Sequence, residues 1–125
     1  YEGNIKHDPI EKDEVSVAGF TGNNHYIFPN QHLVGNVPLV DADMLFFSGD
    51  QFYEANGGFT RAFPNTDEYR QHLDYHRKYY LFGWAFGQLL KDYPSVIVTD
   101  DHDVFQGNIC FIYENVTGFF FAISI

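Results

Sequence analysis

Met44-Leu45-Phe46-Phe47-Ser48-Gly49-Asp50-Gln51-Phe52-Tyr53-Glu54 is the stretch on which the reading of the fold turns. An apolar run enters Gly-Asp and is followed by aromatics and an acid. Such a run, without polar alternation, reads as a strand covered on both faces, as in a parallel sheet. Gly49 supplies a sharp turn at its end. Asp50 then projects from the carboxyl edge of the sheet, where open α/β folds bind their ligands. The same residues also read as a capped loop, with Asp50 as a turn or helix N-cap residue.

Upstream, Val15-Ser16-Val17-Ala18-Gly19-Phe20 is a strand candidate running into the polar turn Thr21-Gly22-Asn23-Asn24-His25. Between the two strands, a short helix is predicted from about Gln31 to Asp41, with Asn30 as N-cap after Pro29. Gly35 and Pro38 weaken it. Downstream, Asn56-Gly57-Gly58 reads as a turn, followed by an irregular segment to Pro64. A strong helix comes next: Asn65 and Glu68 form a reciprocal cap, and Asp67 adds favourable charge to the first turn. Tyr69, Leu73, Tyr80, Phe82, Phe86, Leu89 and Leu90 recur close to helical spacing, Lys91 falls in the last turn, and Pro94 stops the helix. The β-branched run Val96-Ile97-Val98-Thr99 is the third strand. It empties into Asp100-Asp101-His102-Asp103. Strand, helix, strand, helix, strand implies a parallel sheet with right-handed crossovers.

A chain of 125 residues has the length of one domain. With 9 Tyr and 14 Phe, its interior should be built on large rings. The net charge of −10 repels phosphate backbones and argues against a nucleic-acid binding module. Bound metal ions can still invert that field locally, so an acidic chain can act on phosphate. The single cysteine, Cys110, excludes an internal disulfide and a cysteine-rich zinc module. No signal peptide opens the chain, and Tyr1 reads as the start of a fragment or a processed product. Residues 1–14 form a polar, acidic lead-in. The apolar end, Phe119 to Ile125, is too short to span a bilayer and reads as a strand or a segment whose partner is missing. Asn115-Val116-Thr117 matches the N-glycosylation pattern, which matters only in a secreted eukaryotic protein.

All three strands deliver ligand-type residues at their carboxyl ends: Asn23, Asn24 and His25; Asp50 and Tyr53; Asp100, Asp101, His102 and Asp103. Parallel neighbouring strands bring these loops to one edge. Carboxylate, imidazole and amide groups converging there suit a hard or borderline cation. Two such ions sharing a carboxylate would polarise a phosphoryl oxygen and generate a hydroxide nucleophile near neutral pH. Each residue also has a plainer reading: a solvated acidic turn for Asp100 and Asp101, a helix cap for Asp103, an ordinary satisfied histidine for His102. His72 and His76 stand four apart, but Leu73 occupies the place of a metalloprotease glutamate. Both therefore read as helix surface.

The blocks Gly49-Asp50-Gln51-Phe52-Tyr53-Glu54 and Asp100-Asp101-His102-Asp103 resemble the calcineurin-like metallophosphoesterase superfamily, and within it the PhoD-like alkaline phosphatase and phosphodiesterase branch. The resemblance runs from about Val15 to Ile109 and is strongest at Leu45–Glu54 and Asp100–Asn108. It implies a fold, the βαβαβ half of a four-layer α/β/β/α sandwich. It also implies a reaction, phosphoester hydrolysis by a hydroxide activated on two metal ions. Carried onto this chain, it makes Asp50 the bridging ligand, Tyr53 a phenolate ligand and Asp101 a ligand to the second ion. His102 becomes the catalytic residue that steadies the phosphoryl group or protonates the leaving oxygen. Asp100 and Asp103 would orient ligands or the imidazole from behind. The implied ions are Fe3+ and Ca2+, with Zn2+ or Mn2+ as alternatives. The implied partner is a phosphate ester, and the implied location is secreted or periplasmic.

The chain departs from the family at the first block, normally Asp-x-His or a cysteine-containing variant. Here that place holds Thr21-Gly22-Asn23-Asn24-His25, from which Asn23 or His25 would have to contribute. The family's later Gly-His-x-His-like element is absent, and residues 110–125 form a divergent tail. The C-terminal half of the domain is thus expected to be missing and the site incomplete. The competing expectation is a non-catalytic α/β fragment that binds a cation weakly.

Overall fold

Strands β1 (Val17–Phe20), β2 (Met44–Phe47) and β3 (Ser95–Ile97) form a parallel sheet in the order β1-β2-β3, in a computed structural model that describes residues 2–4, 6–7, 9–56 and 68–104. The register pairs Phe20 with Phe47 and Phe47 with Ile97, so the strands end level and their following loops meet. The ladder continues one residue past β3, where the Val98 N–H donates to the Phe47 carbonyl at 2.9 Å.

Helix α1 spans Gln31–Asn36, shorter than the sequence predicts, and Val37–Val40 continues as a 3-10 helix. Pro38 explains the change, because it lacks an N–H and its ring clashes with the carbonyl four residues back. Asn30 caps α1 as expected, its side-chain oxygen accepting from the Leu33 N–H at 3.3 Å. Helix α2 spans Glu68–Leu90. Gly57 and Gly58 of the expected turn, the caps expected at Asn65 and Asp67, and everything from Phe105 onward lie outside the described residues.

The core is aromatic, as the composition demands. Phe20 and Phe47 stack with centroids 4.6 Å apart, and Phe86 meets both edge-on at 5.7 and 5.2 Å. Leu45, Val37, Phe82, Ala85 and Leu89 complete the buried cluster, with Phe28, Leu33 and Val34 packed against it.

Two expectations need correction. First, β2 is not covered on both faces by the described residues. Leu45 and Phe47 are fully buried, but Met44 and Phe46 are half-buried, and their neighbours Val17 and Val96 are 51% and 44% exposed. With the strands in sequential order, right-handed crossovers carry both connections to the same face. Accordingly, α1 and α2 contribute to one core cluster. Second, the apolar series of α2 splits between two faces. Phe82, Ala85, Phe86 and Leu89 are buried, whereas Tyr69, Leu73, Tyr80 and Trp84 are largely exposed. His72 and His76 lie on the exposed side, as expected.

The lead-in is tied down by lysines. Lys6 Nζ reaches Asp41 at 2.7 Å, and Lys12 Nζ reaches Asp43 at 2.6 Å. These contacts lie by the amino end of β2, away from the polar loops. No described helix is long and apolar enough to cross a membrane.

Candidate metal centre at the strand ends

The turn after β2 is sharper than an ordinary loop. Gly49 and Asp50 both take positive φ, +104° and 52°. A side chain at Gly49 would collide with Asp100, whose backbone nitrogen lies 2.6 Å from an added Cβ. Only glycine lets the two blocks approach this closely. Asp50, lacking that freedom, carries strain of about 1–3 kcal/mol, the kind that gathers at functional sites. The Asp50 carbonyl accepts from the Asn23 N–H at 2.8 Å, which ties the first loop to the second.

Asp50, Asp101 and His102 each present a ligand atom within 4.8 Å of the others. Tyr53 joins them: its phenol stands near enough to the Asp50 carboxylate to feel its charge, and its ring lies edge-on to His102 at 4.5 Å. That hydroxyl lies 3.3 Å from where a Cβ on Gly22 would stand, so glycine clears space for it. Burial pushes the phenol pKa up, and the charges of Asp50, Asp101 and Asp100 push the same way. In this acidic setting the proton stays on Tyr53. Asp50 Oδ1 is buried without a hydrogen-bond partner among the described residues, an expensive condition for a carboxylate oxygen.

His102 is held from outside the cluster. Its Nδ1 lies 2.6 Å from Glu54 Oε2. Burial works to lower the imidazole pKa, but the Glu54 hydrogen bond and the charges of Glu54, Asp101 and Asp50 outweigh it, and the net shift is upward. Asp103 sits beneath, almost fully buried, and its carboxylate accepts from Gln51 N at 2.8 Å and Asp100 N at 3.0 Å. One side chain thereby bolts the Gly49-Asp50 turn to the third loop. Burial raises the Asp103 pKa while the backbone donors restrain the shift.

The remaining residues singled out in the sequence have these places. Asp100 is exposed and uses Oδ1 to cap the Asp101 N–H at 2.8 Å. His25 is buried with both ring nitrogens on backbone atoms: Nε2 lies 2.9 Å from the Asn56 carbonyl, and Nδ1 accepts from Tyr53 N at 3.5 Å. Burial, and then the nearby Lys78 charge, lower its pKa, which keeps it a neutral strut for the Tyr53 loop. Asn23 is buried, and its side-chain nitrogen has no partner among the described residues.

Two contributors escaped the sequence reading. Glu54 stands inside the quoted block, four residues after Asp50, but nothing in the spacing assigns it to His102. Lys78 sits among exposed-looking helix residues, and its burial is legible only in three dimensions.

Compared with protein families, with curated proteins and with solved structures, the chain matches none of them. The chemistry of the site therefore rests on its own donors. Two carboxylates, an imidazole and a phenol converging beside an unpartnered carboxylate oxygen fit a hard or borderline cation. The partnerless Asp50 Oδ1 is the atom best placed to accept one.

Proposed function

We propose that this chain carries the metal site of a phosphoester hydrolase of the PhoD-like type, with Asp50, Tyr53 and Asp101 as cation ligands and His102 as the catalytic residue. The observation that carries this reading is the convergence of Asp50, Asp101 and His102, with Tyr53 against them, from the ends of two neighbouring parallel strands. The partly uncovered sheet face accords with half of a four-layer sandwich. Fe3+ with Ca2+, or Zn2+ or Mn2+, remain the proposed ions. Bound cations supply Lewis acidity that lowers the pKa of water and offsets charge on the phosphoryl oxygens.

The chain's own groups do the rest. Asp50 offers its free oxygen to a cation, with the Tyr53 phenol near its carboxylate. Releasing the Tyr53 proton requires positive charge nearby, because the neighbouring acids hold it on. With Nδ1 on Glu54, His102 has Nε2 left to face the substrate. Its raised pKa favours the protonated ring, suited to donating a proton to a leaving oxygen. Glu54 fixes the ring's orientation and tautomer, as carboxylates behind functional imidazoles do.

A second reading has an observation in its favour. Asp50, Tyr53 and Asp101 supply few of the six to eight oxygens of a closed Ca2+ site, and His25 adds no donor because both its nitrogens lie on backbone atoms. A weak cation binder without turnover would have this donor set. Hydrolysis separates the two. Given Ca2+ with Fe3+, or Mn2+, the complete protein should hydrolyse p-nitrophenyl phosphate or its bis ester, and Asp50→Ala should lower the rate by about 10²-fold or more. A folded, metal-loaded protein whose rate is zero, or is unchanged by Asp50→Ala, would refute the phosphoesterase reading.

A further inference from the structure

Lys78 is the one fully buried lysine or arginine among the described residues. Its ammonium lies 2.9 Å from Asp74 Oδ2, one turn back on α2, and donates to the Glu54 carbonyl at 2.7 Å. An ion pair of this spacing serves a helix equally well on its wet face, where neither charge loses its water. Placing it inside brings one thing that the wet face cannot, a charged donor on the backbone of the Tyr53-Glu54 segment.

The same turn of α2 grips the other loop. Tyr75 donates its hydroxyl to the His102 carbonyl at 3.2 Å, and Tyr79 donates to the Asp103 carbonyl at 2.7 Å. The Phe52 ring is wedged edge-on against both tyrosines at 5.0 and 4.6 Å. Three neighbouring side chains of one helix thus hold three backbone carbonyls, one on the Glu54 side and two on the His102 side. The gap they span is the one that Glu54 Oε2 and His102 Nδ1 close at 2.6 Å.

We infer that Lys78 is a positioning residue: by holding the Glu54 carbonyl from the core, it sets the Glu54 carboxylate against His102 and keeps the Tyr53 ring in place beside it. Its structural half stands alone, and its effect on turnover rests on the phosphoesterase reading. Lys78→Met by itself would leave Asp74 Oδ2 without its ammonium and the buried carboxylate held only by Arg77 on Oδ1, at 3.0 Å, so the informative variant is Asp74→Asn/Lys78→Met. Asp74→Asn alone keeps the ammonium on the carbonyl and is its control.

The direct readout is the nitrogen-bound proton of the His102 ring by 15N-edited NMR. In the wild type and in Asp74→Asn it should be held downfield and protected by Glu54. In the double variant it should be lost or moved upfield, with the amides of β1 and β2 little changed. Under metal-loaded turnover, the double variant should lose about 10²-fold in kcat, the scale of a misplaced catalytic group, with KM nearly unchanged. If the resonance depends on Lys78 and the wild type hydrolyses no ester, the phosphoesterase reading falls and the positioning role stands. A folded double variant that keeps the His102 resonance overturns the positioning role. So does an Asp74→Asn variant that loses as much as the double variant. A double variant that unfolds beside a folded Asp74→Asn would make Lys78 a general stability residue and overturn it equally.

Discussion

At His102, burial and charge oppose each other, and charge wins. The native pKa lies above the ordinary 6.5, so folding favours the protonated ring. A basic group shifted in this direction contributes stability that is fully present below its unfolded pKa. That contribution fades as pH rises through the native value. Replacing Glu54 by Gln removes the strongest upward influence. Wild type should therefore exceed Glu54→Gln in urea midpoint most clearly just below pH 6.5. The difference should narrow as pH climbs past the raised value. Midpoints measured across that range test this, and a gap independent of pH would mean that the contact carries no linked proton. The positions, as distinct from their chemistry, are legible in the residues themselves: Asp50, Tyr53, Asp101 and His102 stand out by type and place at strand ends, and the fold brings them together. Glu54 does not stand out, because a carboxylate 48 positions from its histidine gives no local signal.

At the scale of elements, α2 does two jobs with one helix. Its buried row, Phe82, Ala85, Phe86 and Leu89, packs under the sheet, while Tyr75, Lys78 and Tyr79 hold the loops and Asp74 braces Lys78. Phe86 is fully buried and touches Phe20, Phe28, Phe47 and Phe82 through ring contacts. Phe86→Ala should cost about 3–5 kcal/mol, read as a lower urea midpoint at unchanged slope. A loss below about 1 kcal/mol would mean that this ring is not central to the core. The helix was legible from its spacing, but its two faces were not. Tyr and Trp carry apolar bodies that fit either a core or a surface, so periodicity alone could not divide Tyr69, Tyr80 and Trp84 from Phe82 and Phe86. Likewise Pro38 signalled a weakened α1 without saying that the helix would tighten into a 3-10 turn.

At the scale of the molecule, alternating strands and helices specify a parallel sheet, and the structure adds the level register of β1, β2 and β3. What the sequence reading missed was which face would be covered. An apolar run such as Met44–Phe47 says that a strand is apolar on both sides, not that both sides find partners among the described residues. The same topology brings the loops after neighbouring strands to one edge. The proposed cation site follows from that placement. Isothermal titration of the chain with Ca2+, beside the Asp50→Asn variant, tests it most directly. Saturable binding that weakens at least about tenfold in the variant, roughly 1.4 kcal/mol, is the expected result. Equal binding by both proteins, or none by a folded wild type, would contradict it.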